Sequence, residues 1–265
     1  GDKVQSAPSI LDVDGQKVIF VGSNDKNLYA VNSDGNLRFS VETTNKVFNS
    51  PAFLEHNNTF YVFFSDDAGV LYAVDTDGNA LAGWPVDTGS VISESVAFSD
   101  LDGDGEAEVV TVTAIGSVLV FDLDGYPHSG FPISGFAPFF SSPMILDLDG
   151  DNDMEILAGS GSNLVALDIK SPGSSSGYWS MYRGNTLRSG YYDLEDDSEC
   201  AESGDLNDDG TWNILDIVQL ANCVLESDCA GIANGCASDM NGDGSYNVLD
   251  IVLLANCILA QNCGE

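Results

Sequence analysis

Asp205, Asn207, Asp209, Gly210, Thr211, Asn213 and Asp216 stand at positions 1, 3, 5, 6, 7, 9 and 12 of a twelve-residue segment. Thirty-four residues on, Asp239, Asn241, Asp243, Gly244, Ser245, Asn247 and Asp250 repeat that order without a mismatch. Side-chain oxygens at alternate positions, a glycine for a sharp bend and a main-chain carbonyl at position 7 (Thr211, Ser245) make a cage of hard donors. That is the set Ca²⁺ prefers. One such segment would also read as an acidic turn; two in register point to metal.

A second pair of acidic loops lies earlier. "DLDGDGEAE" places Asp100, Asp102, Asp104 and Glu108 at positions 1, 3, 5 and 9, with the Glu106 carbonyl at 7. "DLDGDNDME" places Asp147, Asp149, Asp151 and Glu155 at the same offsets, with the Asp153 carbonyl at 7. Carboxylates this dense, feeding an apolar strand, repel one another unless a cation neutralises them. We therefore expect four bound calcium ions, two in the C-terminal loops and two here. "DVDGQ" and "EHNNT" occupy the corresponding places earlier in the chain but are too short and too poor in acid.

These loops belong to a repeat. Pro8, Pro51, Val96 and Pro143 occupy equivalent places, giving periods of 43, 45 and 47 residues. In each unit, β-branched and aromatic runs alternate with Asp-Gly, Asn-Asp or Gly-Ser turns, about four strands per unit. Asp34-Gly35, Asp77-Gly78 and Asp124-Gly125 read as hairpin turns after the third strand, where positive φ is needed. Pro85 and Pro132, in "GWPV" and "GFPI", suit an outer strand that tolerates a missing N–H. The fold expected is mainly β: about four four-stranded propeller blades at 6–48, 49–92, 93–139 and 140–192. They either close as a ring or form an arc of a larger one. A small α module with calcium loops follows.

Composition marks the boundary. All six cysteines, Cys200, Cys223, Cys229, Cys236, Cys257 and Cys263, follow residue 199. The domains expected are a propeller over 1–192, an acidic linker over 193–199 and a module over 200–265. Clustered cysteines favour disulfides and an oxidising, extracellular setting, with Gly1 a processed or truncated start. Of the 15 connectivities that six cysteines allow, Cys223–Cys229, Cys257–Cys263 and Cys200–Cys236 are preferred. Zinc is the weaker alternative, since no CxxC or histidine accompanies them. The formal charge of −34 repels nucleic acid and anionic lipid. No apolar run approaches the roughly 20 residues of a membrane span.

With "DLDGDGEAE", "DLDGDNDME" and the "GWPV/GFPI" turns in place, residues 6–192 resemble the FG-GAP (VCBS-like) propeller repeats, related to the calcium-bearing blades of integrin α chains. "WSMYRGNTLRSGYY" (Trp179 to Tyr192) resembles the closing segment of such propellers in secreted bacterial proteins. The resemblance implies an interaction scaffold. In the C-terminal part each EF-hand-type loop runs into one helix, "DIVQLANCVL" from Asp216 and "DIVLLANCIL" from Asp250, with no convincing helix before it. Ile217, Leu220 and Val224 share one helical face, as do Ile251, Leu254 and Ile258. The duplicated loop and helix resemble a type I dockerin, a calcium-dependent module that docks into cohesin domains.

That likeness implies partner recognition by Ile214, Leu215, Ala221 and Asn222 in one half and by Val248, Leu249, Ala255 and Asn256 in the other. Two near-identical halves imply two binding orientations. The partner expected is a cohesin-like domain or a neighbouring protomer, with a glycan or protein ligand on the propeller. His56 and His128 lie in turns and read as exposed loop histidines. No nucleophile motif or phosphate loop accompanies them, so no catalytic residue is expected in this chain. Three functions fit: a secreted non-catalytic scaffold, the accessory region of a secreted hydrolase, or a subunit of an extracellular assembly.

Overall fold

The computed structural model describes residues 2–161, 163–186, 188–192, 203–207, 210–226, 229, 235–241, 246–260 and 263. The chain divides into two compact units, Gly1–Leu194 and Glu195–Glu265.

Apolar alternation builds the first unit. In β1 (Ser9–Val13) and β2 (Gln16–Ser23), Leu11, Val18 and Phe20 are buried, while Gln16 and Lys17 face solvent. With β3 (Asn27–Asn32) and β4 (Leu37–Glu42) they form a four-stranded antiparallel meander. The pattern recurs in β5 (Ala52–His56), β6 (Thr59–Ser65), β7 (Val70–Asp75) and β8 (Val86–Asp87). It recurs again in β9 (Ala97–Ser99), β10 (Glu108–Val112), β11 (Ser117–Phe121) and β12 (Ile133–Ser134). The third-strand turns behave as their glycines require: Gly35, Gly78 and Gly125 take φ of 84°, 87° and 82°. Pro85 and Pro132 follow cis bonds just before the short outer strands β8 and β12.

The fourth sheet departs from the expected four strands. Among the described residues it has three, β13 (Met144–Leu146), β14 (Asp153–Ser160) and β15 (Asn163–Pro172). After β15 the chain is Gly- and Ser-rich without alternation, so it cannot pair as an outer strand. Instead it runs along the free edges of the first strands of the sheets. The Phe98 N–H of β9 donates to the Trp179 carbonyl at 3.0 Å, and the Ile145 N–H of β13 to the Ser180 carbonyl at 2.8 Å. Tyr191 then bridges Ile10 of β1 in parallel.

Sheets pack face to face. Every residue of β10 and β11 is buried. Val109, Leu119 and Phe121 face one cluster with Phe20, Phe53 and Phe63, and Val110, Val112, Val118 and Val120 face another with Ile145 and Ile156. A sheet covered on both faces is what propeller-like stacking requires. Trp179, fully buried, meets Phe53 edge-on at 5.3 Å and stacks on Tyr192 at 6.1 Å. Hydrogen bonds join the first sheet to the second (Ser9 Oγ to the Pro51 carbonyl) and the third to the fourth (Ser93 Oγ to the Phe139 carbonyl). The segment after β15 also bonds beside the first sheet, as when Arg183 Nη1 donates to the Pro8 carbonyl at 3.1 Å.

The second unit holds two equal helices, α1 (Ile214–Glu226) and α2 (Val248–Ala260), with a 3-10 turn over Gly235–Ser238. Leu220 and Leu254, thirty-four residues apart, are both fully buried, with Ile217, Val224, Ile251 and Ile258 around them. Those are the two helical faces read from the sequence. Gly204 takes φ of +93° and a Cβ there would fall 2.6 Å from Leu254, so only glycine fits. Cys223–Cys229 and Cys257–Cys263 are bonded. The Cys200–Cys236 pair falls on side chains outside those described.

Candidate functional site

The acidic loop between β9 and β10 is folded by its own carboxylates. Asp100, 7% exposed, accepts from the Gly103 N–H at 2.7 Å and the Gly105 N–H at 3.0 Å. Glu108, at the head of β10 and 3% exposed, accepts from the Leu101 N–H at 2.6 Å. The loop between β13 and β14 repeats these bonds. Asp147 accepts from the Gly150 N–H at 2.7 Å and the Asn152 N–H at 3.0 Å, and Glu155 accepts from the Leu148 N–H at 2.6 Å.

Such folding brings oxygens together. Asp100, Asp102 and Glu108 each offer one oxygen within 4.8 Å of the others, as do Asp147, Asp149 and Glu155. Asp104 and Asp151, at position 5, turn to their own loops: Asp104 accepts from the Glu106 N–H and Asp151 from the Asp153 N–H. A further group, Asp151, Asp153 and Glu155, shares Glu155 with the Asp147 and Asp149 group. There Lys170 of β15 is 3.7 Å from both Asp151 and Asp153 and 2.5 Å from Asp168. The two loops thus match in backbone but differ in their surroundings.

Electrostatics support a cation. Burial pushes Glu108 up to about 7, with Asp102 and Asp100 adding to the rise against the opposing Leu101 N–H and His128. Asp149 is raised chiefly by Asp151, and Asp153 rises to about 6 through burial and then Asp151. Carboxylates held above their ordinary range by burial and by one another are those a divalent ion would relieve. The all-oxygen donor set suits Ca²⁺, and several clusters able to coordinate it are present.

In the second unit, position 12 closes each loop. Asp216, fully buried, accepts from the Leu206 N–H at 3.1 Å and the Asn213 N–H at 2.8 Å. Asp250, also fully buried, accepts from the Met240 N–H at 3.0 Å and the Asn247 N–H at 2.8 Å. Asp205 accepts from the Gly210 N–H at 2.8 Å, and Gly210 makes the bend with φ of 75°. Asn213 and Asn247 cap the helices, each accepting from the N–H two residues on at 2.9 Å. Asn207, Thr211, Asp239 and Asn241 also lie in the described parts of these loops, whereas Asp209, Asp243 and Ser245 lie outside them.

The helices leave an apolar surface. Ile214, Leu215, Val218 and Leu225 of α1 are 64%, 60%, 50% and 82% exposed; their counterparts Val248, Leu249, Val252 and Leu259 of α2 are 66%, 50%, 47% and 83%. Asn222 and Asn256 are exposed beside them, and Ala221 and Ala255 are half-buried. The exposures follow the 34-residue repeat pair by pair.

Residues 203–259 match the dockerin type I domain. The C-terminal module is therefore dockerin-like, and the match spans its described loops, α1 and all but the last residue of α2. No curated protein matches the chain. Among solved structures, the chain is similar to BamB from Moraxella catarrhalis at 17% identity and a TM-score of 0.45, covering 65% of this chain and 49% of that one. It is also similar to BBS1N in complex with ARL6DN (16%, TM-score 0.44, 59% and 47% covered). The computationally designed Ika4 protein is a third (15%, TM-score 0.44, 63% and 92% covered). The chain spans about half the length of the first two, and at these scores the likenesses carry no argument about it.

The histidines differ from the sequence reading. His56 lies 2.9 Å from Glu106, and His128, its side chain 15% exposed, places Nδ1 2.7 Å from Asp122. Both line one cleft of about 550 Å³. No local motif announces the His56 contact, because Glu106 comes from another loop; the partner of His128, Asp122, lies six residues away in the same connection.

Proposed function

We propose that this chain is a secreted, calcium-binding, non-catalytic interaction protein. Its dockerin-like module docks onto a cohesin-like domain, and its FG-GAP-like propeller offers a second surface for a glycan or protein ligand. The observation that carries this reading is the duplicated apolar face, Ile214, Leu215 and Val218 in one half and Val248, Leu249 and Val252 in the other. Apolar residues exposed in matched pairs on two rigid helices suit a protein partner. Calcium at Asp205, Asn207, Asp209, Thr211, Asn213 and Asp216, and at the equivalent Asp239 to Asp250, would fix the loops that hold those helices. Calcium at Asp100, Asp102 and Glu108, and at Asp147, Asp149 and Glu155, would stiffen two blades.

The disulfides support an extracellular setting. The test is calorimetry of the full chain against a cohesin domain. Binding is expected in Ca²⁺ and lost in chelator. Ile214→Glu with Leu215→Glu should weaken it only about twofold, the statistical loss of one of two equal modes. Adding Val248→Glu and Leu249→Glu should abolish it. No binding in Ca²⁺, or binding by the fourfold variant, overturns the reading.

A further inference from the structure

The chain has two histidines, seventy-two residues apart, and the fold brings both to the cleft of about 550 Å³. His56 ends β5, and His128 lies between β11 and β12. Between them stand Glu106, Glu108 and Asp122. One donor atom each from Glu108, Asp122 and His128 lies within 4.8 Å of the others. Glu108 is 3% exposed, and its Oε2 accepts from the Leu101 N–H; among the described residues no hydrogen bond reaches Oε1. A carboxylate that lines the cleft and sits within ligand distance of both the Asp100–Asp102 pair and the Asp122–His128 pair is placed to serve a cation on either side.

We propose that Glu108, Asp122 and His128 form a binding site for a divalent transition metal of the Zn²⁺ class. The site lies beside the calcium loop and shares Glu108 with it. Ca²⁺ takes 6 to 8 oxygen ligands, and imidazole is a poor substitute for them. Imidazole with carboxylates suits Zn²⁺, and three protein ligands with a water is a common set for it. The Asp122–His128 contact of 2.7 Å already brings the imidazole to the carboxylates, and a metal held by both would take the place of that hydrogen bond. The second histidine is engaged elsewhere: His56 Nδ1 faces Glu106 at 2.9 Å, and its Nε2 lies 2.6 Å from Asn57 Nδ2. One histidine ligates and the other does not.

That asymmetry makes the test internal to the molecule. The full chain, held in saturating Ca²⁺ so that the oxygen loops are filled, is titrated with Zn²⁺ by calorimetry and by NMR of its two imidazoles. The expected result is one Zn²⁺ that moves the His128 resonances and leaves those of His56 in place. His128→Gln should weaken binding at least about tenfold, while His56→Gln leaves it unchanged. Absence of Zn²⁺ binding over Ca²⁺, or binding that leaves the His128 resonances unmoved, overturns the site. If His128→Gln lowers the melting temperature, the resonances of the unaltered protein decide alone.

Discussion

At the scale of single residues, the acidic loops set one prediction. Burial disfavours the charge of Glu108 and pushes it up to about 7 from an ordinary 4.5. Across that window the folded chain holds a proton that the unfolded chain has released. Stability therefore falls as pH rises from 4.5 to about 7. Chelated protein should lose melting temperature through this interval, Glu108→Gln should flatten the loss, and saturating Ca²⁺ should suppress it. Equal pH slopes for chelated wild type and variant would contradict the assignment. Asp66 shows the opposite design. Burial works to raise it, but Thr44, Val70, Ala68 and Asn45 donate to it and hold it below its usual range. Asp66 is surrounded by N–H and O–H donors, whereas Glu108 also faces Asp100 and Asp102.

Among the elements, the two helices are the most self-specified. Each begins at an asparagine cap, carries an acid that reaches back to the start of its loop, and buries one leucine completely. Asn213→Ala should lower the stability of the calcium-free module by about 1 kcal/mol. Asn213→Ser, which keeps an acceptor, should cost less. Circular dichroism at the helix band checks both, and equal effects would show that capping is not what the residue does. These elements are legible in the sequence because their signals are local: ligand spacing, cap and 3.6-residue period all lie within about 22 residues. The same holds for the β-meanders, whose turns advertise themselves as Asp-Gly. The fourth sheet is not legible in this way, because Gly173 to Gly177 has no such signal. Here "GSSSG" replaces the outer strand, and only the free strand edges elsewhere show where it goes.

For the whole molecule, the contacts that matter join distant repeats. Trp179 sits within 5.3 Å of Phe53 and stacks on Tyr192, and the backbone beside it bonds both β9 and β13. Trp179→Ala should cost the first unit about 3–5 kcal/mol. Its melting temperature should fall while the chelator-sensitive transition of the C-terminal module stays put. Movement of both transitions together would show that the units do not unfold separately. The burial of Trp179 and the meeting of His56 with His128 are non-local, set by how sheets stack. No spacing in "GYWSMYRG" or "YPHSGF" encodes either.

The closing segment also defines a path for mechanical load. Were the second unit pulled, the load would reach the first unit at Tyr192, whose backbone is fastened to the first sheet. The Ile10 N–H donates to the Gly190 carbonyl at 2.6 Å, and the Tyr192 N–H to the Ile10 carbonyl at 2.7 Å. Tyr192 is wedged among Phe53, Phe60 and Trp179. Tension would then enter where Ile10 and Tyr192 are already bonded to each other, and not at an outer strand.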